Sequence, residues 1–398
     1  MAGTALPVVQ WLPDGTPHSP RFDDIYRSRG PDGAGGLAQA REVFLGGCGL
    51  PQAWRGRSAW TVLETGFGLG LNFLATWQAW RNDPQAPERL VYAAVEAWPV
   101  TPDDLLRSAA PFPELLDLAR ELAAQWPGLL PGWQSLPLQG GRVQLVLGVG
   151  DGRALLREQR FVADSVFLDG FDPARNPALW DVHTLKAVAQ LCRRGTGVAT
   201  WTVARTVRDA LTQCGFVVER AEGLAPKRHR LQGRWDPPWS PRPPRAVPAE
   251  PSPWPACGPD ARPRRALVIG AGLAGSSCAH SLAQRGWTVT VLDRGEAPAA
   301  GASGLPAGLV APHVSPDDRP LSRLTRAGVR ATLDRARRCL REGIDWAPSG
   351  VLEHRVKDSR DLPPAWREPD SPAAGWSRPA TADGEFEIPR RVAGGQGP

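Results

Sequence analysis

The stretch that most restricts the fold is Val62–Phe73, VLETGFGLGLNF. An apolar run stops at Glu64 and gives way to Gly66, Gly68 and Gly70 at alternate positions, and a helical pattern follows over Asn72–Ala79. Strand, glycine turn and helix in that order open a βαβ unit. That unit implies a mostly parallel sheet with helices on both faces. Glycine at such a turn lets the backbone pass close to a ligand that a Cβ would block.

The rest of the first part of the chain repeats the alternation. Strand-like runs are expected at Ala59–Glu64, Leu90–Glu96, Arg142–Leu147, Ser165–Asp169, Gly197–Thr202 and Phe216–Arg220. Helical runs lie between them at Glu114–Gln125, Gly152–Glu158, Leu179–Cys192 and Val203–Cys214, and the segment before Ala59 reads as an N-terminal cap. From Asp236 to Arg265 the sequence is too rich in proline for helix or sheet and reads as a semi-rigid linker. A chain of 398 residues suggests two domains. The linker divides it into 1–235, 236–265 and 266–398.

The pattern Glu-x-Gly-x-Gly-x-Gly at Glu64–Gly70 differs from the dinucleotide form G-x-G-x-x-G. An acid ahead of the turn repels phosphate and suits a cationic ligand, which favours S-adenosylmethionine with its amino acid tail and sulfonium. Two more acids end successive strands. Glu96 stands where a carboxylate accepts both ribose hydroxyls, and Asp151 is a candidate acceptor for the adenine amino group. The plainer alternative makes these acids strand-end carboxylates at a solvated edge.

The fourth strand runs into FLDGFDPARNPALW, Phe167–Trp180. In an open parallel sheet the carboxyl ends of the strands face the ligand crevice, which puts Asp169 beside a transferable methyl. Its chemistry there is to hold a substrate amine, aim its lone pair and take up its proton. Phe171 is a candidate to stack on a base. The alternative is that Asp169 caps the next helix and Phe171 is core.

A second glycine turn, ALVIGAGLAGSSCA over Ala266–Ala279, does match G-x-G-x-x-G. Gly270, Gly272 and Gly275 follow a strand and open a helix, and Asp293 ends the next strand. That context is specific for FAD or NAD(P), with the pyrophosphate on the helix N-terminus and Asp293 on a ribose, which disfavours a 2′-phosphate.

The two turns in one chain, with FDDIYRS, EVFLGG, ETGFGLGLNFLATWQAW, FLDGFDPARNPALW, PKRHRLQGRW and GASGLPAGLV, resemble the bacterial bifunctional tRNA 5-methylaminomethyl-2-thiouridine biosynthesis family, from Phe22 to about Trp376. The resemblance implies an α/β architecture: a Rossmann-like S-adenosylmethionine-dependent methyltransferase domain, then a partial FAD-binding Rossmann domain of the D-amino-acid-oxidase type. It implies two activities on a tRNA wobble uridine. The FAD half removes the carboxymethyl group from 5-carboxymethylaminomethyl uridine, and the other half methylates the amine so exposed. It implies Asp169 and Phe171 at the amine and base, and Glu64, Gly66, Gly68, Glu96 and Asp151 around the methyl donor. It also implies Gly270, Gly272, Gly275 and Asp293 on FAD. Three departures stand out. Gln39-Ala40 replaces the usual Glu-Thr pair, Leu305 replaces the usual Asn in GASGLPAG, and the family's oxidase half runs well past Pro398. The oxidase half is therefore expected to be incomplete, with exposed strand edges and an exposed apolar face.

Net charge of +6, carried almost wholly by arginine, favours a polyanionic partner. Lys227, Arg228, Arg230 and Arg234 form a basic cluster able to hold tRNA phosphates, or else line an ordinary solvated strand. The six cysteines form no CxxC pair and the six histidines show no ligand spacing, so neither metal nor disulfide is expected, and a reducing cytoplasm fits. No membrane span or signal peptide is expected either. Two other readings compete: an FAD amine oxidase whose N-terminal half only binds tRNA, and an RNA-binding module without activity. The intact run from Glu64 to Asp169 favours the methyltransferase.

Overall fold

The computed structural model describes residues 7–27, 30, 35–126, 128–224, 228–240, 265–284, 286–315, 318–353 and 372–378. Its described residues fall in two compact units, one within Met1–Ala124 and Pro131–Leu309, the other within Gln125–Leu130 and Val310–Pro398.

The first unit opens with a small antiparallel sheet of β1 (Gln10–Trp11), β2 (Pro17–Ser19) and β3 (Asp24–Ile25). A short helix α1 (Gly35–Gln39) then runs into a π-helical turn, Ala40–Leu45. The main sheet follows. Five strands are parallel: β4 (Ala59–Glu64), β5 (Arg89–Glu96), β7 (Val143–Val149), β8 (Ala163–Phe167) and β9 (Cys192–Thr200). Three run antiparallel to a neighbour: β6 (Gly132–Leu138) beside β7, β11 (His229–Trp235) beside β9, and β10 (Phe216–Glu222) beside β11. The order across the sheet is β10-β11-β9-β8-β4-β5-β7-β6. The chain winds outward from β4 through β5 to β7, then returns to β8 on the other side. Strand order therefore reverses between β4 and β8, where open α/β sheets bind ligands.

The central strands read as continuous apolar runs because both faces are covered. Val62 and Leu63 on β4 and Leu90 and Tyr92 on β5 have no exposed surface. Each such side chain contributes roughly 1.5–3 kcal/mol by leaving water. Helix α2 (Leu71–Asn82) is buried almost all round, with Phe73 and Trp77 fully enclosed. It starts at Gly70, whose φ of +74° is left-handed, and a Cβ there would sit 3.0 Å from the Phe67 ring. Helix α3 (Pro102–Ala109) carries a reciprocal cap: Thr101 Oγ1 accepts from Asp104 N and Asp104 Oδ2 accepts from Thr101 N. After α4 (Leu116–Gln125) and α5 (Gly152–Arg157), the expected helix over Leu179–Cys192 divides into α6 (Pro177–Trp180) and α7 (Val182–Ala189). Asp181 is extended between them and accepts from Thr184 N at 2.7 Å. Helix α8 (Arg205–Gln213) completes the layer.

The expected strand Ala59–Glu64 is present with its ends unchanged and the other expected strands of the main sheet with shifted ends, whereas β11 was expected only as the alternative reading of the basic cluster, and β6 and α3 were not expected. The first residues of the Pro-rich segment are packed: Arg194 pairs with Asp236 and donates to Trp239 O at 2.9 Å. Residues 241–264 lie outside the described residues.

The second glycine turn joins β12 (Arg265–Ile269) to α9 (Leu273–Ala283), and β13 (Thr288–Leu292) pairs with β12 in parallel. No described residue of α9 is buried, and Ile269 and Leu273 are 84% and 74% exposed, so this βαβ segment leaves apolar surface in water. In the second unit, α10 (Pro320–Cys339) holds Arg330 5.0 Å over the Trp376 ring, beside a small core of Leu130 and Ala373. Among the described residues no helix is long and apolar enough to cross a membrane, and no cluster of His, Cys, Asp and Glu has metal-site geometry.

Candidate active site

A pocket of about 930 Å³, counted to its open mouth, lies over the carboxyl ends of β4, β5, β7 and β8. Its floor is the first glycine turn, its walls are the segments after β5, β7 and β8, and the N-terminal cap contributes residues from Phe22 to Gln39.

Glu96, half-buried on the wall, ties the floor together. Its Oε2 accepts from Gly68 N at 2.8 Å and its Oε1 from Trp98 N at 2.9 Å. Burial pushes its pKa up, against those backbone bonds that pull it down. Each oxygen keeps a second acceptor site, so the carboxylate fits a ribose diol. Gly66 and Gly68 are both on the floor. The missing Cβ of Gly66 faces protein rather than the pocket, since it would stand 2.9 Å from the Asp169 carbonyl. At Gly68, φ is +53° and the Cβ would stand 3.3 Å from the Tyr26 ring.

Asp169 lies two residues beyond the end of β8, on the wall of the pocket. Its Oδ1 accepts from Gly170 N at 2.8 Å and from Trp201 Nε1 at 3.0 Å, and its Oδ2 from Asn72 Nδ2 at 2.7 Å. It does not cap a helix: α6 begins only at Pro177. Glu64 is elsewhere. It has no exposed surface and is not on the pocket wall. Asn72 Nδ2 and Tyr92 Oη donate to its two oxygens at 2.7 and 3.0 Å. Burial first, and the nearby Asp169 charge second, raise the Glu64 pKa well above the ordinary carboxylate value. Gly70 serves the start of α2 and is off the wall. Asp151 is exposed between the wall residues Gly150 and Gly152, and its Oδ1 caps α5 by accepting from Ala154 N at 2.7 Å.

An aromatic group closes one side. Phe171 stacks on Phe22 with centroids 4.7 Å apart, and Tyr26 meets Phe171 edge-on at 4.9 Å. Trp98 meets Phe22 edge-on at 5.4 Å, with the Arg21 guanidinium 4.5 Å from the Trp98 centroid. Phe171 is thus a wall residue rather than core. Gln39, one of the two departures in the cap, also lines the pocket, whereas Ala40 is fully buried. Sequence reasoning missed Asn72, Trp201, Phe22 and Trp98. Only Asn72 carried a local signal, as a polar residue in the first turn of a mostly apolar helical run.

The basic cluster lies apart from the pocket floor. Arg228 is exposed, and Arg230 donates to the Glu42 carbonyl and, at 3.2 Å, to Gln232 Oε1. Lys227 lies outside the described residues. At the second turn Gly270 has φ +106°, and a Cβ on Gly275 would stand 1.8 Å from the Gly270 carbonyl. Asp293 Oδ2 accepts from Ala271 N and its Oδ1 from Gly295 N, both at 2.7 Å, which lowers its pKa. Gly272 precedes the first residue of α9, whose amide donates to Ser303 Oγ at 3.0 Å. This turn, with its helix N-terminus, fits the diphosphate of a dinucleotide.

Sheet order, switch-point pocket and second glycine turn define a two-part chain: a Rossmann-like α/β fold with a ligand pocket at its switch point, then a βαβ unit opened by a dinucleotide-type glycine turn. Residues 113–236 match the family model described as S-adenosyl-L-methionine-dependent methyltransferase, and residues 265–391 match that of the FAD dependent oxidoreductases. Both cofactors expected from the sequence agree with these matches.

The chain is similar along most of its length to particular curated proteins. It is 57% identical over 382 residues to the tRNA 5-methylaminomethyl-2-thiouridine biosynthesis bifunctional protein MnmC of Polaromonas naphthalenivorans, covering 94% of this chain and 58% of that one. The protein of the same name from Paracidovorax citrulli is 58% identical over 375 residues, covering 94% and 57%. The family resemblance is thereby borne out, and the chain spans about 58% of the length of the first of these relatives. The crystal structure of MNMC2 from Aquifex aeolicus overlaps 59% of this chain and 72% of its own at 22% identity and a TM-score of 0.48.

Proposed function

We propose that residues 1–235 form a methyltransferase that transfers a methyl group to the aminomethyl nitrogen of 5-aminomethyl-(2-thio)uridine at a tRNA wobble position. Residues 236–265 then link it to an FAD-dependent oxidoreductase segment, 266–398, of the kind that exposes that amine by removing a carboxymethyl group. The observation that carries the reading is the Asp169 carboxylate, held by three donors on the wall of a switch-point pocket.

S-adenosylmethionine, when bound, supplies an electrophilic methyl on a sulfonium. The residues of this chain supply alignment, which contributes on the order of 7–11 kcal/mol in favourable cases. Glu96, whose oxygens hold the Gly68 and Trp98 amides, would accept the two ribose hydroxyls with its remaining lone pairs. Gly66 and Gly68 give the floor its shape, and Asp151 stands at the adenine end. Asp169 would accept an N–H of the substrate amine, aim the nitrogen lone pair at the methyl, and take up the proton released as the N–C bond forms and the methyl–sulfur bond breaks, with S-adenosylhomocysteine as the leaving group. Phe171 and its neighbours pack the uracil ring and exclude water. Arg228, Arg230 and Lys227 meet tRNA phosphates. Gly270, Gly272, Gly275 and Asp293 would hold the diphosphate and ribose of FAD. We place the protein with its tRNA substrate in the cytoplasm.

The test is transfer of a labelled methyl group from S-adenosylmethionine to tRNA bearing 5-aminomethyl-2-thiouridine. Label on the wobble base of that tRNA, and none on tRNA already carrying the methylamino group, is the expected result. Binding of the donor without transfer would overturn the substrate assignment.

A further inference from the structure

Asn72 occupies the first turn of α2, beneath the ends of β4 and β8, and is 8% exposed. A side-chain amide has two hydrogens to give. Here one goes to Glu64 Oε1 and the other to Asp169 Oδ2, both at 2.7 Å. Glu64 is itself anchored from behind, since Tyr92 Oη donates to its Oε2 at 3.0 Å and Tyr92 is fully buried. A buried carboxyl group must be paired, so the Tyr92–Glu64–Asn72 chain is costly to break and rigid. On the far side of Asp169, Trp201 and the Gly170 amide hold Oδ1. Donors on both oxygens fix the plane of the carboxylate.

We propose that Asn72 and Glu64 are positioning residues for Asp169: Glu64, anchored by Tyr92, holds the Asn72 amide, and the amide sets the orientation of the Asp169 carboxylate. This rests on the role given to Asp169 above. It assigns Glu64 a different task from contact with the methyl donor, because Glu64 is absent from the pocket wall and Asn72 stands on it.

The clamp has a readout that does not need the reaction. The Trp201 indole N–H donates to the same carboxylate, so its ¹H–¹⁵N resonance reports the carboxylate's orientation, and loss of the signal in Trp201→Phe assigns it. The full chain is compared with Asn72→Leu, Asn72→Ser, Glu64→Leu and Glu64→Gln, with melting temperature checked for each. Asn72→Ser is too short to reach both partners and replaces Asn72→Leu should that variant not fold. The expected result is a displaced, faster-exchanging Trp201 signal in the Asn72 variants and in Glu64→Leu. Glu64→Gln restores the signal, since its amide keeps an acceptor for Asn72. On aminomethyl tRNA the displaced variants lose kcat by about 10–100-fold, as small misplacements do, with donor affinity unchanged. An unmoved Trp201 signal in the Asn72 variants overturns the clamp. So does loss of donor binding in Glu64→Gln as deep as in Glu64→Leu, which would put Glu64 on the donor. A wild-type chain that methylates nothing sinks the methyltransferase reading alone, because the Trp201 signal still decides the clamp.

Discussion

The indole nitrogen of Trp201 stands 3.0 Å from Oδ1 of Asp169 and donates to it. Trp201 follows β9 directly and Asp169 lies just past β8, so the parallel pairing of those strands brings the two together. Trp201 also meets Trp180 edge-on, at 6.2 Å, which holds the indole in place. Trp201→Phe keeps the ring and removes the donor. A hydrogen bond to a charged group is worth about 1.5–3 kcal/mol. Methyl transfer by Trp201→Phe should therefore fall roughly 10–100-fold in kcat, while the donor's dissociation constant, measured by calorimetry, stays put. A variant that turns over at the wild-type rate would remove Trp201 from the site.

Glu96 links the glycine turn after β4 to the segment after β5, because its two oxygens take one backbone amide from each. Glu96→Gln places an amide NH₂ against one of those N–H groups and turns an attraction into a clash of donors. The floor then loses its shape where the donor's ribose sits. Affinity for S-adenosylmethionine should weaken by about one to two orders of magnitude, the worth of one charged hydrogen bond. Affinity for tRNA alone should not change. Calorimetric titration of each ligand separates the two, and equal donor affinity in mutant and wild type would exclude Glu96 from the donor site.

The sheet was legible because β4, β5, β7 and β8 are buried on both faces and so spelled out as apolar runs. The turn at Gly66–Gly70 was legible because alternate glycines have few other uses. Strand β11 was legible only as the alternative reading of the basic cluster, because it presents His229, Arg230, Gln232 and Arg234 among its seven residues. A two-faced apolar signal is absent from that composition, and only pairing with β9 and β10 makes it a strand. Strand β6 contains Pro137, which argues against a central strand, and the structure puts it at the sheet edge, where proline is tolerated. Helix α3 did carry its signature, Thr101-Pro102-Asp103-Asp104, a reciprocal cap with proline at the first helical position. In the site, Asp169 and Glu96 were readable as acids at strand ends. That Glu64 faces away was not, since two acids at equivalent strand ends look alike until Tyr92 and Asn72 are placed beside one of them. Phe22 and Trp201 were out of reach because each joins the site through tertiary pairing alone.

Glu64 makes stability fall as pH rises. Its folded pKa is raised well above the ordinary value by burial and by the Asp169 charge. Between the unfolded and the folded pKa, the folded chain therefore holds a proton that the unfolded chain has released. Stability from this group is complete below the unfolded pKa and is lost as pH climbs toward the folded one, by at most about 1.4 kcal/mol per pH unit. Glu96 titrates in the same sense, so the total slope is not Glu64's alone. The comparison with Glu64→Gln isolates it. Denaturant midpoints from acid to neutral pH should fall more steeply for wild type than for Glu64→Gln, and the mutant should be the more stable near neutrality. Parallel curves would mean that Glu64 is ionised in the folded protein.

Arg228 and Arg230 are neighbours on the chain with different circumstances. Arg230 is half-buried and reaches the Glu42 carbonyl in the cap's π-helical turn, so its removal disturbs the cap as well as the surface charge. Arg228 is exposed, at the start of the segment leading into β11. A phosphate contact releases bound counterions, and each one adds about 0.7–0.9 to the slope of log affinity against log salt. Arg228→Ala should therefore weaken tRNA binding equally for all tRNA sequences and lower that slope by roughly one contact's worth. Melting temperature should hold. Arg230→Ala should lower both the slope and the melting temperature. Filter binding over a salt series with each variant reads the slopes directly. An unchanged slope in Arg228→Ala would take Arg228 off the tRNA path and leave it as a residue of a solvated surface.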